Sequence, residues 1–565
     1  MTLHNTQPGQ RVHLQHGEAL DTSGAFTVEN CNGGKSPFQE ITYLCKGGET
    51  EIYTPHFAVF GFRYVKIEGV DDGVFTAVAV YSDNQPAGTF TCSHPLINRL
   101  VENALWSQKG NFLEVPVDCP TRERNAWTGD AQIYLPTATW FADVEQFFRK
   151  WLRDQTIEQY ASGKVGITFP STSSVHDPRE LEIVRQRDPA MALAGPDGEG
   201  HIGEDSVGWG DSAVWLPYQM YLRYGDKSVL EEQYDTARRW VEFSLHCMQE
   251  INPRYKDMPW NKDKNGKWIY DTRFHYGEWN EPLPPSPEVI ELFRKGGTPA
   301  DYVTYMAQYG KPEVATAYTK RSCDNLVQMA QVLGKEDDAA YYAQCSRHIQ
   351  AAYEAYLVAE DGTIQPGHQA AYVRALALDM VTGAKRQAIA KLREEIEKAD
   401  YHLNTGFLST VYLLPVLCDN GMADLAFRLL EQTGCPGWLH PVTLGATTIP
   451  ENWNGFDLVR DSLNHYSLGA VCQFLFEYVA GIRPVWKAPG FREFELKPTS
   501  GGSLTHAKAR YRTRYGVIES AWQIKDGVFH YQCTVPEDTT VRLILPSGRT
   551  QTLTPGQYDF QEKFV

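Results

Sequence analysis

The spacing of hydrophobic and polar residues divides the chain into three stretches. In residues 1–92 apolar and polar positions alternate, which is typical of half-buried strands. In residues 93–483 apolar residues recur every three or four positions, which is typical of amphipathic helices. Residues 484–565 return to short alternating runs separated by turns. We therefore predict an N-terminal β-domain, a helical domain and a C-terminal β-domain. The alternating runs of the first stretch are 10–14, 57–60, 62–67 and 75–81.

The helical stretch contains twelve predicted helices, many of them separated by only a few residues. Short connections imply antiparallel neighbours, and twelve helices in hairpins fit an (α/α)6 toroid whose inner helices surround a cleft. The predicted fold class is therefore mainly α with flanking β, with the toroid between an N-terminal β-sandwich and a C-terminal β-sandwich. The predicted helices are 94–109, 129–140, 142–160, 210–224, 226–250, 313–334, 336–357, 368–380, 384–399, 406–418, 421–432 and 462–480.

Four long insertions interrupt the helices. Insertions of this length in a compact domain are usually functional or disordered, and these are rich in Trp, Gly, Pro and acidic residues rather than low in complexity. We therefore expect them to form the rim of the cleft. They cover 110–128, 161–209, 251–312 and 433–461.

The composition adds an acidic charge and many aromatic side chains. The chain has 53 Lys and Arg residues against 70 Asp and Glu residues, a formal net charge of −17. It therefore lacks the basic surface that attracts phosphate backbones or anionic lipids, and we expect neither nucleic acid nor a membrane as a partner. Carboxylates together with 12% aromatic residues suit a protein that handles sugars, but composition alone does not establish this.

The cysteines and the first residues of the sequence indicate the cellular compartment of the protein. The eleven cysteines are scattered singly and form no CxxC pair, which is typical of small buried side chains in a reducing environment. Residues 1–20 lack the apolar segment that a secretory signal needs. We therefore expect a cytoplasmic protein.

The sequence argues against a cofactor or a metal. Gly198-x-Gly200-x-x-Gly203 matches the dinucleotide-binding fingerprint by letter, but no predicted strand precedes it and Glu204-Asp205 follows it. The sequence contains no HExxH motif, and its acidic residues lack the spacing of an EF-hand loop. We expect neither a cofactor nor a metal ion.

Reactive side chains are densest in the segment 118–130, DCPTRERNAWTGD. Asp130 alone could be an ordinary helix cap. Capping does not explain why Asp118, Glu123 and Trp127 accompany it. Three further loops combine acids with aromatic residues, although each alone also fits a solvated surface or simple loop packing. They are 208–211 (GWGD), 275–280 (HYGEWN) and 447–466, which contains ENW and SLNHY.

Taken in order, these loops resemble the signature of the bacterial α-L-rhamnosidases of glycoside hydrolase family 78. The segments 61–65 (GFRYV) and 479–484 (VAGIRP) resemble the family's domain junctions, so the resemblance spans nearly the whole chain. Three places depart from the family pattern. Asn125-Ala126 stands where Leu-Gly is usual, Glu278 where Asp is usual, and Ile449-Pro450 where a Trp commonly precedes the Glu.

The resemblance implies an inverting glycoside hydrolase that releases terminal α-L-rhamnose. Such an enzyme needs one carboxylic acid to protonate the leaving oxygen and one carboxylate to activate water on the opposite face of the sugar. By resemblance, Glu123 is the general acid and Glu451 the general base. The residues implied in binding the sugar are Asp118, Arg122, Trp127, Asp130, Trp209, Asp211, Trp279 and His465.

Two arginines flank the implied general acid. In an extended segment, Arg122 and Arg124 would both point away from Glu123. We expect Arg122 to pair with Asp118 or Asp130.

Two other readings remain open at this point. One is a different (α/α)6 exo-glycosidase or a phosphorylase, and the other is a non-catalytic carbohydrate-binding protein. The expected partners are small rhamnosides, either flavonoid glycosides or rhamno-oligosaccharides. The exposed edges of the terminal β-regions could also support a homodimer.

Overall fold

The computed structural model describes residues 1–32, 39–171, 205–252, 255–273, 275–281, 312–459 and 461–564. The rejected dinucleotide-like motif at 198–203 lies outside these residues, as do parts of the insertions 161–209 and 251–312.

The N-terminal domain consists mainly of two three-stranded sheets. Their strand orders are β6-β1-β8 and β5-β2-β7, and a small core of Leu3, Val12, Leu14 and Cys45 lies between them. The described residues of this domain contain the strands β1 (Thr2–Thr6), β2 (Arg11–Gly17), β3 (Ala19–Leu20), β4 (Phe26–Thr27), β5 (Glu40–Leu44), β6 (Gly48–Ile52), β7 (Tyr64–Glu68) and β8 (Gly73–Val74).

Two of the predicted alternating runs do not form strands. Residues 57–60 and 75–81 are irregular, and Val78 is 72% exposed. The apolar side chains of these runs do not share a buried face, so their alternation was misleading. The run 10–14 does fall on β2, where Val12 and Leu14 face the core.

The helical part forms a closed ring of six helical hairpins, which confirms the predicted toroid. Successive inner helices contact each other, and the last contacts the first. Burial separates the two layers: every residue of the inner helix Thr128–Phe141 is buried, whereas the outer helix Lys385–Lys398 buries only three side chains. The inner helices are Thr128–Phe141, Ser212–Tyr224, Pro312–Leu333, Gln369–Ala377, Phe407–Asp419 and the helical turns from Ser467 to Val479. The outer helices are Pro95–Asn111, Glu145–Glu158, Ser228–Cys247, Glu336–Leu357, Lys385–Lys398 and Ala423–Leu430.

Short helices and sharp breaks connect these elements. Helix Ser212–Tyr224 ends at Gly225, whose φ of 71° is left-handed and therefore suits glycine. Within the described residues, no helix combines the length and apolarity needed to cross a bilayer. The short helices are Glu29–Asn32, Pro259–Lys262, Lys264–Trp268, Leu439–Thr443 and Gly455–Leu458.

The last inner helix starts later than predicted. The sequence predicts helix from residue 462, but the helical turns begin at Ser467. The backbone amide of Ser462 donates to the side chain of Glu451 instead of entering a helix, and that of Leu463 donates to Glu18. The prediction was wrong here because these amides bind side chains outside the helix, which the local periodicity does not reveal.

The C-terminal domain packs a five-stranded sheet, β17-β14-β13-β12-β9, with a four-stranded sheet, β10-β11-β15-β16. Strand β9 (Gly88–Cys92) precedes the toroid, and the sequence assigned it to the N-terminal domain. It pairs instead with β12, so the chain crosses to the C-terminal sheet before the first helix. The other strands are β10 (Ile482–Pro484), β11 (Glu493–Leu496), β12 (His506–Thr513), β13 (Gly516–Lys525), β14 (Val528–Val535), β15 (Thr540–Ile544), β16 (Thr550–Leu553) and β17 (Gly556–Lys563).

Candidate active site

Residues 118–127 form a loop that leads into the first inner helix, Thr128–Phe141. The loop is closed by two hydrogen bonds of 2.9 Å: the amide of Asn125 donates to Oδ1 of Asp118, and the amide of Asp118 donates to the carbonyl of Asn125. Asp118 is thereby fully buried at the base of the loop. Burial and the nearby Glu123 carboxylate raise the pKa of Asp118 well above its usual range.

Glu123 stands at the tip of this loop and is the most exposed of the predicted acids. Its side chain is 38% exposed. The indole Nε1 of Trp127 donates to its Oε2 at 2.9 Å, and Nη2 of Arg122 lies 3.9 Å from its Oε1. Glu123 is therefore oriented by two neighbours while one side stays open to solvent.

Glu451 comes from the insertion 433–461 and approaches the same arginine. Nη1 of Arg122 lies 3.3 Å from Oε2 of Glu451, and the amide of Ser462 donates to the same oxygen at 3.3 Å. The side chain is 13% exposed. Burial raises the pKa of Glu451, while the positive charges of His465 and Arg122 oppose that rise. One guanidinium thus brings the two predicted catalytic carboxylates together.

The hydrogen-bonding partners of Arg122 differ from those expected. Arg124 does point away from Glu123, since it donates to the carbonyl of Pro120 at 2.9 Å. Arg122 does not turn away, and it pairs with Glu451 and, at 3.2 Å, with Asp461 rather than with Asp118 or Asp130. The expectation failed because the loop is not extended: Arg124 has a left-handed φ of 54°.

His465 and Asp130 form a buried ion pair below the carboxylates. Nε2 of His465 lies 3.1 Å from Oδ1 of Asp130, which lies in the first turn of the helix Thr128–Phe141. Burial lowers the pKa of His465, but the hydrogen bond and charge of Asp130, with the charges of Glu451 and Asp118, outweigh burial and raise it to about 9. The surroundings of His465 therefore favour its charged form at neutral pH.

Three predicted tryptophans surround one tyrosine. The ring of Tyr276 lies 4.9 Å from Trp209, 5.8 Å from Trp127 and 5.8 Å from Trp279, measured between centroids. The close fit depends on Gly129, because a Cβ there would lie 2.5 Å from the Trp209 ring. These rings form a continuous apolar wall from three separate loops.

Asp211 is the predicted binding residue that the structure places elsewhere. It is 1% exposed, and its oxygens accept hydrogen bonds from the Ser322 hydroxyl and, at 2.5 Å, from the amide of Gly208. Asp211 therefore fixes the turn that carries Trp209 and does not face the carboxylate cluster. The GWGD motif contributes its tryptophan to the site and its aspartate to the fold.

The departure at Glu278 has a structural explanation. Its carboxylate forms an ion pair with Arg374, which also pairs with Glu313, and it accepts from the amide of Ser409 at 2.8 Å. The carbonyl of the next residue, Trp279, accepts at 2.8 Å from the amide of Phe407, the first residue of the inner helix Phe407–Asp419. Glu278 anchors the loop of Trp279 to two inner helices.

Two residues of the cluster were missed by the sequence analysis. Asp461 completes the pairing of Arg122, and its Oδ2 accepts from Nδ2 of Asn452 at 2.5 Å. Tyr276 joins the tryptophans into one wall. Tyr276 stands inside a segment already singled out, so its position beside Trp279 was an available signal. For Asp461 the sequence around it offers none.

One group of side chains in the described regions has metal-ligand chemistry. Ligand atoms of Cys435, His440 and Asp457 lie within 4.8 Å of one another. Nε2 of His440 is already 2.7 Å from Oδ2 of Asp457, and its Nδ1 lies 3.2 Å from the carbonyl of Thr433. A hydrogen-bonded pair accounts for this spacing, and the expectation of a metal-free protein stays a prediction.

Comparison with known proteins assigns each part of the chain. The bacterial α-L-rhamnosidase six-hairpin glycosidase domain matches residues 85–479. The concanavalin-like domain of the same enzymes matches 1–82, and their C-terminal domain matches 481–559.

Individual relatives agree with these matches. An α-L-rhamnosidase of Streptomyces avermitilis is 32% identical over 552 residues, covering 95% of this chain and 46% of that protein. One from Formosa agariphila is 30% identical over 562 residues, covering 96% and 54%. The crystal structure of the Streptomyces avermitilis α-L-rhamnosidase complexed with L-rhamnose aligns with a TM-score of 0.83 at 29% identity, over 100% of this chain and 50% of that one. The native Aspergillus terreus enzyme aligns with a TM-score of 0.82 at 26% identity, over 99% and 60%. The chain spans about half the length of the curated relatives it matches.

Proposed function

Because the chain belongs to the bacterial α-L-rhamnosidase family, we propose that it hydrolyses terminal α-L-rhamnosyl bonds at the cluster around Arg122. The observation that carries this proposal is the approach of Glu123 and Glu451 to one guanidinium beside a wall of aromatic rings. The relatives named α-L-rhamnosidase, and the one solved with L-rhamnose, support the choice of sugar.

In this proposal Glu451 is the general base. A base must be ionised yet have a pKa near the working pH to accept a proton well. The opposing influences on Glu451 suit this requirement, because burial raises its pKa while the cations His465 and Arg122 favour the anion. The amide of Ser462 and Nη1 of Arg122 both bind Oε2, which leaves Oε1 to accept a proton from the attacking water.

Glu123 is the general acid. Its exposed position at the loop tip lets it reach a leaving-group oxygen at the mouth of the site, and the Trp127 indole orients its carboxyl group. We propose hydrolysis with inversion, in which acid and base act from opposite faces of the sugar. Neither step needs a covalent intermediate.

The remaining residues would bind the rhamnose. Apolar sugar faces and the C6 methyl group would pack against the aromatic wall of Trp127, Trp209, Tyr276 and Trp279. Asp118, Asp130 and the cationic His465 would bind the hydroxyl groups, since charged groups make the stronger hydrogen bonds. Removal of Arg122 would take away the cation that lies between the two carboxylates.

Substrate size, compartment and assembly are further parts of the proposal. We propose small rhamnosides such as flavonoid glycosides or rhamno-oligosaccharides. A reducing, cytoplasmic location is supported by the eleven cysteines, all of which are free thiols. The homodimer stays a prediction.

The test is a panel of nitrophenyl glycosides assayed with and without phosphate. We expect release of nitrophenol from the α-L-rhamnoside, at a rate independent of phosphate. E451Q should lose about 10³-fold or more in kcat, as expected when a general base or its equivalent is removed. Preference for another sugar, phosphate dependence, or full activity of E451Q would each contradict the proposal.

A further inference from the structure

A carboxylate of the N-terminal domain is buried against the site. Glu18, in the turn after β2, is 6% exposed. Its Oε2 accepts two hydrogen bonds: from the amide of Leu463 at 3.0 Å and from Nδ2 of Asn30 at 2.8 Å. Asn30 also belongs to the N-terminal domain, whereas Leu463 lies just before the last inner helix of the toroid. The bond therefore joins two domains.

The bond is made to the segment that holds the catalytic carboxylate. Adjacent amides of this segment bind two different acids, since Ser462 donates to Glu451 and Leu463 donates to Glu18. Nδ2 of Asn30 also donates to the carbonyl of Asp461 at 3.2 Å. Residues 461–463 are thus held from the N-terminal domain on one side, and they hold the catalytic groups on the other.

Asp461 links this segment to the shared arginine. Its Oδ1 lies 3.2 Å from Nη1 of Arg122, which is 3.3 Å from Glu451. A displacement of residues 461–463 would therefore move two partners of the base at once: the Ser462 amide directly, and Arg122 through Asp461.

The burial of Glu18 is energetically costly, which argues that the contact has a purpose. Burial raises its pKa to about 7, although the hydrogen bonds from Leu463 and Asn30 favour the anion. The Thr121 hydroxyl and the charge of Arg122, both on the catalytic loop, also favour the anion but do not outweigh burial. An apolar residue would avoid this cost, so stability alone does not explain a carboxyl group here.

We infer that Glu18 and Asn30 are positioning residues, which fix segment 461–463 so that Arg122 and the Ser462 amide orient Glu451. The N-terminal β-domain is then a working part of the active site and more than a support for the toroid. This inference rests on the proposed function of Glu451 as the base.

The test compares E18A, E18Q and a matched control on nitrophenyl α-L-rhamnoside. E18A removes both hydrogen bonds, and a misplacement of about 1 Å in a catalytic group can cost on the order of 100-fold. We expect its kcat to fall by about 10- to 100-fold, with KM changed less than about threefold. In E18Q the amide oxygen can replace Oε2 and the NH2 group Oε1, so kcat should stay within about threefold of wild type.

The control is E51A. Glu51 is also a buried acid of the N-terminal domain, 3% exposed, but its partners Tyr43, Lys46 and Gly47 belong to that domain. E51A should lower the thermal midpoint without lowering kcat. If E18A does not fold, N30A replaces it, since it removes the bonds to Glu18 and to the Asp461 carbonyl.

The outcomes separate this inference from the proposed function. Equal kcat values for E18A and E51A, in an active wild-type background, would overturn the inference alone. A loss in E18Q as large as in E18A would also overturn it, because the hydrogen bonds would then not be the cause. Wild-type protein without rhamnosidase activity would overturn both.

Discussion

The protonated state of His465 makes the pH dependence of stability predictable. The pKa of His465 is about 9 in the folded protein, against about 6.5 in an unfolded chain. A change of one in pKa corresponds to about 1.4 kcal/mol, so the charged His465, with Asp130, Glu451 and Asp118 around it, contributes about 3 kcal/mol to the free energy of unfolding. His465 keeps its proton to a higher pH in the folded protein than in the unfolded chain. The contribution is therefore complete below pH 6.5 and is lost as the pH rises to 9.

The assay is urea-induced unfolding of wild type and H465Q at pH 6, 7, 8 and 9. Glutamine can still donate to Asp130 but does not titrate, so the difference in the free energy of unfolding should shrink by about 3 kcal/mol between pH 6 and 9. H16Q is the matched control, because burial lowers the pKa of His16. The difference in the free energy of unfolding between H16Q and wild type should be constant between pH 7 and 9. A constant difference for H465Q over the whole range would show that His465 does not have a raised pKa in the folded protein.

Three other substitutions test parts of the site. G129A would place a Cβ 2.5 Å from the Trp209 ring and should lower the free energy of unfolding by about 1–3 kcal/mol and raise KM; unchanged values in unfolding and kinetic assays would contradict the proposed wall. R122M removes a cation that lowers the pKa of Glu451, so the acidic limb of the kcat/KM profile should move to higher pH; a shift to lower pH would contradict the pairing. D211N weakens a buried hydrogen-bond acceptor, so it should lower the free energy of unfolding by about 1–3 kcal/mol and leave kcat nearly unchanged. A selective loss of kcat would place Asp211 in the sugar site.

The helices were predictable because their periodicity is local. Helix Glu336–Leu357 has the predicted bounds, since its buried and exposed positions repeat every three or four residues. Residues 462–466 were assigned to a helix wrongly, because the amides of Ser462 and Leu463 bind the side chains of Glu451 and Glu18, which no helical periodicity reveals. Strand β9 was assigned to the wrong domain for a similar reason: its partner β12 lies in the C-terminal domain, far away in the sequence.

The site residues that lie in recognisable motifs were predictable from the sequence, and those outside such motifs were not. Glu123 and Glu451 were identified by resemblance, and the structure brings both to Arg122. Asp461 was not identified, because its partner Arg122 is 339 positions away and no pattern around it marks a site. Glu18 was missed for the same reason. Whether a carboxylate faces the substrate or the protein interior is decided by packing, as Asp211 illustrates.

The central claim is that Glu123 and Glu451 act as acid and base without a covalent intermediate. The direct test is proton NMR of the first rhamnose released from nitrophenyl α-L-rhamnoside, before the anomers equilibrate. We expect the β-anomer first, because water activated by Glu451 attacks the face opposite to the leaving group. Initial release of the α-anomer would contradict it, since retention requires one of the carboxylates to be a nucleophile.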